Sequence, residues 1–381
     1  MENKLNLVLG LWNGPAMMGA YYKRALQKIA NVYTVGPSFG AESDFDCHPS
    51  DAIIPLMNKM DKPIDYYIQF YSKPDFFPPD LFKLECPKAW YVYDLHLHFD
   101  ELATTAQLFD MVFTYDEASK KKLLERGLQK VEVLPFAAEK EMYYREQDGA
   151  KKRKYDIGFA GSVTGHPSLV ERANLLERLG KKFNLRVENR TLVGAEVSDF
   201  YQDCTVVLNQ AVKNDLNMRI PETLMSGRPL LTPNVDGLNE YLEIDVHALI
   251  YNTDNIEEKL IYLLENPVER EAMAKKGQAL ALEKYSYSAC ASLMLEHLRC
   301  DIKDAETSGR IKKDPWLCAS SQFRYHWFRF KGDALQWLKN NLDKESNGLV
   351  AKLMSLSLSI VITILKIKES FGKAQYFQKK E

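Results

Sequence analysis

Short apolar runs and longer segments of helical periodicity alternate along the first three hundred residues. Between residues 5 and 134 the runs LNLVLGL, NVYTVG, IDYYIQF, AWYVYD, MVFTYD and VEVLP have strand length, and MMGAYYKRALQKIA places its apolar residues at helical spacing. Such alternation predicts βαβ units and a parallel sheet. A second series opens at YDIGFAGS and continues through LRVENRTLVG, CTVVLN, RPLLT and HALIY, with helices expected over 167–180 and 255–264. Residues 138–154 between the series are highly charged and broken by Asp148-Gly149, as suits a surface linker. The expected fold class is α/β: two Rossmann-like, doubly wound domains, 1–137 and 155–300, facing a cleft, with a helical extension over 301–381. In open parallel sheets ligands sit outside the carboxyl ends of the strands, so the active site should be that cleft. No fixed-period repeat is visible, which argues against a solenoid.

The extension is patterned differently. An aromatic and basic run at 323–331, FRYHWFRFK, leads to LVAKLMSLSLSIVITILKIK. Its uncharged core, 353–365, is 13 residues long, too short for a helix to cross a hydrocarbon layer of about 30 Å. Lys352, Ser355, Ser359, Thr363 and Lys366 recur at spacings of 3, 4, 4 and 3 and form one polar stripe of a helix. With Lys368, Lys373, Lys379 and Lys380 nearby, one reading is an amphipathic helix over 349–380 lying on a membrane surface. The other is a helix packed on the protein itself or on a second subunit. The pattern does not give the oligomeric state.

Charge and composition narrow the function. The chain has 381 residues, 46% of them hydrophobic and 27% charged, enough apolar material for two proper cores. Its net charge of −2 conceals an asymmetry: residues 301–381 carry 15 Lys and Arg against 9 Asp and Glu, which is +6 and leaves −8 on residues 1–300. Nucleic acid is therefore not an expected partner of the body, and attraction to anionic surfaces should reside in the tail. Six cysteines lack any C-x-x-C pairing, so neither a zinc site nor a disulfide framework is expected. The N-terminus enters an apolar strand at once without a secretory-type leader, and the expected location is cytoplasmic, peripheral at the inner face of a membrane if the tail binds there.

The stretch 217–243, NMRIPETLMSGRPLLTPNVDGLNEYLE, carries the clearest chemistry. Glu222 falls in the first turns of a helix, where a carboxylate accepts hydrogen bonds from two vicinal ribose hydroxyls; Arg219 and the helix N-terminus favour nearby phosphate. Asn217 is a suitable cap, Ser226-Gly227 ends the helix, and a buried strand follows. A plain helix-turn-strand unit with a surface Glu is the bland alternative. Gly161 and Ser162 close the first strand of the second domain, where small residues let backbone N–H groups approach a diphosphate. This segment lacks the G-x-G-x-x-G spacing of a dinucleotide fold. In the first domain Asp94, His96 and His98 stand just past a strand and are candidates for an acceptor base or for orienting a sugar hydroxyl. The His-x-His pair invites a metal, but no third ligand is evident and none is expected. Asn13 and Gly14, after the first strand, would face the cleft on its acceptor side; an ordinary β-to-α turn explains them equally well.

Together these residues resemble a GT-B glycosyltransferase of the group 1 type, in the CgeB-like (spore maturation protein) branch. The resemblance spans about residues 60–300 and rests on WYVYDLH, FDMVFTYDEASKKKLLERG, VEVLPFAAE, YDIGFAGS, NDLNMRIPETLMSGRPLLT, DGLNEYLE and NIEEKLIYLLENPVEREAMAKKGQALALEKYSY. It implies a nucleotide-sugar donor held by the second domain as substrate, with no cofactor, and a glycan, lipid-linked or cell-surface polymer acceptor held by the first. It assigns the ribose to Glu222, the phosphate side to Gly161, Ser162 and Arg219, and the donor-proximal loop to Gly237 and Glu240. Many group 1 enzymes carry a second Glu eight positions before the ribose-binding one; here that position is Asn214, with Asp215 beside it as the candidate to take over. A metal-independent, retaining hexosyl transfer is thus the implied chemistry. A catalytically silent nucleotide-binding or scaffold protein, and a sugar-nucleotide epimerase of the same shape, are the alternatives.

Overall fold

The computed structural model describes residues 4–14, 17–38, 40–48, 51–70, 77–149, 152–164, 169–189, 192–212, 214 and 216–308. The tail expected to form an amphipathic helix, and with it the membrane reading of 349–380, lies outside the described residues. Among those described, no helix is long and apolar enough to cross a membrane.

The first domain is a six-stranded parallel sheet in the order β2-β1-β3-β4-β5-β6. Its strands are β1 (Asn6–Gly10), β2 (Asn31–Val35), β3 (Tyr66–Gln69), β4 (Lys88–Tyr91), β5 (Met111–Thr114) and β6 (Val131–Val133). Helices α1 (Met18–Gln27), α2 (Ile54–Met57), α3 (Leu95–Ala106) and α4 (Glu117–Glu125) connect them. Strands β3, β4 and β5 are buried at every position, as required of a parallel sheet covered on both faces. The second sheet is also parallel, in the order β11-β10-β9-β7-β8. It comprises β7 (Tyr155–Ala160), β8 (Leu185–Glu188), β9 (Cys204–Leu208), β10 (Leu230–Pro233) and β11 (Leu249–Tyr251). Around it lie α6 (Val170–Gly180), α7 (Ala195–Gln202), α8 (Arg219–Met225), α9 (Leu238–Tyr241), α10 (Ile256–Glu265) and α11 (Pro267–Lys284). Its topological switch point falls between β7 and β9, where connections leave in opposite directions and open a crevice at the strand ends.

The chain crosses between the domains twice. The linker carries a short helix, α5 (Lys140–Tyr143), and α12 (Tyr287–Ser308) returns to pack on α1. Ala138 N–H donates to the Tyr285 carbonyl at 2.8 Å, so the two crossings run side by side. Tyr287, Cys290, Ala291, Met294, Leu295 and Leu298 of α12 share one apolar cluster with Tyr21, Tyr22 and Leu26 of α1. Asp301 is buried at 2% exposure and compensated twice, by the Tyr66 hydroxyl and by an ion pair with Lys130. A buried carboxylate tolerates desolvation only with such partners. Thus α12, which sequence patterning runs into the second domain up to residue 300, is packed as part of the first.

Candidate functional site

The loop following β7 begins with Gly161 at φ 152, in the positive range that favours glycine. A Cβ there would collide with Nη2 of Arg219. Arg219, the first residue of α8, spans the switch point. Its Nε donates to the Ala160 carbonyl at the end of β7 (2.8 Å), and Nη1 donates to Asn209 Oδ1 just past β9 (2.6 Å). Its guanidinium also lies over the Phe159 ring, 4.4 Å from the centroid. Asn217 Oδ1 accepts from the Arg219 backbone N–H at 3.1 Å, one residue ahead of Met218, which occupies the N-cap position of α8. Because α8 is only seven residues long, its dipole is a minor source of positive potential, and the charge of Arg219 carries the anion-favouring character.

One turn on, Glu222 lines a cavity of about 330 Å³ together with Gly161, Glu188, Leu192, Val193 and Gly194 on the second-domain side. This is at the lower end of the usual size for ligand sites. Met18 and Tyr21 of α1, Tyr143 of α5 and Tyr287 of α12 also line it, so both domains build it. Tyr143 donates its hydroxyl hydrogen bond to Glu222 Oε1 at 2.9 Å. Burial pushes the Glu222 carboxyl up to about 7, opposed by the Tyr143 hydrogen bond and the charge of Arg219. Burial, then proximity to Glu222, raises the Tyr143 phenol far above its ordinary value, so it stays a donor. Tyr21 is raised to about 12, first by burial and then by Glu222.

A second guanidinium backs the loop. Arg172, in the first turn of α6, donates from Nη1 to the Ser162 carbonyl (2.8 Å), from Nε to Gln210 Oε1 (2.9 Å) and from Nη2 to the Gln210 carbonyl (2.7 Å). Burial, then the nearby Arg219, lowers it to about 10, which leaves it charged at neutral pH. Two cations therefore stand against the loop at 161–162, a setting for a diphosphate.

A second cavity, of about 250 Å³, is lined from the first domain by His96, Phe99, Tyr115, Asp116 and Lys122 and from the second by Asn214 and Asp236. Asn214 adopts φ 56 and donates from Nδ2 to Asp236 Oδ1 at 2.9 Å. Gly237, at φ 78, brings its backbone against Asp116: a Cβ would lie 3.0 Å from that side chain's own Cβ. Asp116 meanwhile caps α4, accepting from the Ser119 N–H at 2.5 Å.

Residues 151–296 match the family model for glycosyl transferase-like proteins. A glycosyltransferase from Rickettsia africae ESF-5 superposes with a TM-score of 0.57 at 10% identity, over 80% of this chain and 100% of that one. Anabaena Alr3699/HepE, solved in complex with UDP, gives 0.57 at 12% identity over 78% and 100% of the two chains. The sucrose-phosphate synthase of Thermosynechococcus elongatus gives 0.57 at 10% identity over 79% and 100%. Among curated proteins none matches the sequence. The fold is GT-B.

Within this GT-B frame the residues singled out from sequence separate into groups. Gly161 and Glu222 share the first cavity. Arg219 and Ser162 do not line it: Arg219 bonds to the carbonyl of Ala160, which does, and the Ser162 carbonyl accepts from Arg172. His96 and Asn214 meet in the second cavity, with Gly237 close by. Asp94 caps α3 in a left-handed conformation (φ 60), and His98, exposed, interrupts the same helix at φ −139 and ψ 41. Neither lines a cavity described above, and Glu240 lies exposed on α9. Asn13 is buried: its N–H donates to the Pro37 carbonyl and Nδ2 to the Glu42 carbonyl, fixing the loop that contains Gly14. The neighbouring helix α1 reaches the GT-B cleft instead, through Met18 and Tyr21. Asp215 falls outside the described residues. No group of three or more metal-ligating side chains occurs among the described residues. Sequence patterning missed Arg172, Asn209 and Tyr143. For Arg172 a signal was present, an Arg in the first turn of the helix after the Gly-Ser loop; the linker tyrosine had none.

Proposed function

We propose that this GT-B chain is a glycosyltransferase that takes a sugar from a nucleotide-sugar donor. The observation that carries the reading is the joint placement of Glu222 and Gly161 on one cavity, with Arg219 spanning from α8 to the end of β7. Glu222, ionised, accepts from the two ribose hydroxyls. Arg219 and Arg172 face the diphosphate, and as the glycosidic bond to the donor breaks their positive field stabilises the charge developing on the leaving diphosphate. No metal is assigned to that task. The transferred sugar extends toward the second cavity, where His96, Asp116 and Asp236 are placed to orient hydroxyls of the sugar and of the acceptor.

The acceptor belongs to the same proposal: a glycan, lipid-linked or surface-polymer hydroxyl, with retention at the anomeric carbon and action at the inner face of a membrane through the basic tail. Membership of the CgeB-like branch likewise rests on NDLNMRIPETLMSGRPLLT and its companion motifs. Donor hydrolysis and transfer with a panel of UDP-, GDP- and dTDP-sugars test it, with Glu222→Ala as the control. Transfer lost in Glu222→Ala supports the reading; unchanged turnover and KM in that variant defeat it.

One observation favours a second reading. Asn214 occupies the position of the second group 1 Glu and is held on Asp236. A silent nucleotide-binding module would give saturable binding without turnover of any donor. Interconversion of free donor would instead identify an epimerase.

A further inference from the structure

The linker between the domains touches the donor carboxylate directly. Tyr143 is the last residue of α5 and only 5% exposed, and its hydroxyl makes the one hydrogen bond that Glu222 receives among the described side chains. The segment that presents it is clamped to the second domain. Ser198 Oγ of α7 donates to the Tyr143 carbonyl at 2.8 Å, and Arg145 pairs with Asp199 at 2.6 Å while donating to the Met142 and Tyr144 carbonyls. Gln278 Nε2 of α11 donates to the Arg145 carbonyl and to the Met225 carbonyl at the end of α8. Tyr143 is thus held against α7 and α8, while α1 holds the start of the same segment through the Arg24–Glu139 ion pair at 3.3 Å and the Tyr21 hydroxyl on Met142 Sδ at 3.2 Å.

We propose that Tyr143 is a positioning residue of the donor site, holding one oxygen of Glu222 so that the carboxylate is ionised and aimed when ribose arrives. This rests on the reading of Glu222 as the ribose acceptor. The reasoning is electrostatic. Each hydroxyl of a vicinal pair needs an acceptor, and a protonated carboxyl would compete as a donor. A hydrogen bond to the ionised form favours that form. The phenol is held protonated, so it donates across the whole working pH range. The other groups facing Glu222 are Arg219 on its own helix, Tyr21 on α1, Tyr201 on α7 and Tyr287 on α12; Glu188 lines the same cavity. Of these Arg219 alone is cationic, and the tyrosines are raised above their ordinary range by burial, so none replaces the Tyr143 bond by ionising.

The test is calorimetric titration of UDP-glucose, GDP-mannose and dTDP-glucose into the full chain from pH 6 to 9, with Tyr143→Phe, Ser198→Ala and Glu222→Gln beside it. The diphosphate diester of these donors does not titrate in that range. With the bound donor, affinity of the unmodified chain should rise about tenfold between pH 6 and 8, following ionisation of Glu222. Tyr143→Phe should bind about tenfold more weakly at pH 7, with its midpoint moved to higher pH and most of the loss recovered by pH 9. Ser198→Ala, which loosens the clamp and leaves the phenol in place, should shift the midpoint the same way by less. Tyr143→Phe with the unmodified midpoint and affinity overturns the positioning role. If Tyr143→Phe is poorly folded, a Ser198→Ala midpoint equal to that of the unmodified chain overturns it. Glu222→Gln binding as well as the unmodified chain at every pH would instead remove the ribose assignment, a separate failure. Binding of none of the three donors would remove both.

Discussion

Nη1 of Arg219 and Oδ1 of Asn209 are 2.6 Å apart, a hydrogen bond that ties the start of α8 to the end of β9. Asn209 is itself fixed, donating from Nδ2 to Thr232 Oγ1 at 2.9 Å while its carbonyl accepts from the Tyr251 hydroxyl at 2.9 Å. The guanidinium is therefore aimed by the ends of β7, β9, β10 and β11, and is ordered before any ligand arrives. Arg219→Lys keeps the charge and loses the planar fork. It should weaken nucleotide-sugar binding about tenfold or more, since charge-assisted hydrogen bonds contribute roughly 1.5–3 kcal/mol. Calorimetry checks this, and an unchanged Kd in a folded Arg219→Lys protein would remove Arg219 from the site.

Gly161→Ala adds one methyl at a positive φ where the nearest neighbour is the same guanidinium. Either the loop or Arg219 must move. Donor affinity should fall together with a stability loss on the order of 1–3 kcal/mol. Urea denaturation and donor titration on one preparation measure both, and a neutral result would show that the loop has room the packing does not suggest.

Glu222 also makes ligand-free stability depend on pH. Its carboxyl sits at about 7 in the folded chain against an ordinary value of 4.5, so the folded state retains a proton that the unfolded state has released. The contribution of this group therefore favours folding most at pH below 4.5, declines as pH rises from 4.5 to about 7, and is level above. Glu222→Gln should flatten the decline. Denaturation midpoints at pH 5 and 7.5 for the two proteins give the comparison, and equal slopes would contradict it.

His96→Ala should separate binding from turnover. His96 lines the second cavity and not the one that holds Glu222. We expect kcat to fall on the order of a hundredfold, within the range of a positioned acid-base or orienting group, with the donor Kd unchanged. A matching fall in donor affinity would move His96 into the donor site.

Asp301→Ala leaves Lys130 and the Tyr66 hydroxyl without their shared buried partner. Because Lys130 is 26% exposed and can turn to solvent, the loss should be on the order of 1–3 kcal/mol, chiefly from the buried Tyr66 hydroxyl left unpaired. A marked drop in Tm is expected, whereas Asp304→Ala, farther along the same helix, should be close to neutral. Equal stability of the two variants would mean that α12 is not anchored through Asp301.

Much of this architecture is written in short-range pattern. The runs YYIQ and MVFT name their strands because a parallel sheet buried on both faces favours near-continuous apolar residues. Glu222 and Arg219 were legible because their spacing sits on one short helix with a Ser-Gly stop behind it. Other parts depend on chain return. Nothing local to Tyr143 distinguishes a linker tyrosine on the surface from one whose hydroxyl meets a carboxylate 79 positions later. Asn13 shows the converse. A Gly-Pro turn after a strand reads equally as a cleft-facing loop or as an ordinary β-to-α turn, and here the Asn13 side-chain amide donates to the Glu42 carbonyl of a neighbouring loop. His96 and His98, two positions apart, would share a face in a strand; the helix beginning at Leu95 separates them.

The paired crossings at Ala138 and Tyr285 should let the molecule survive a break in one of them. A protease that cuts beside the exposed Gly149 severs the linker, but the second piece still carries α12, whose apolar face is seated on the first piece. Nicked chains should therefore co-migrate as one particle under native conditions and fall apart only in denaturant. The two halves, expressed separately and mixed, have the interlocking parts needed to reassemble around the same cavity.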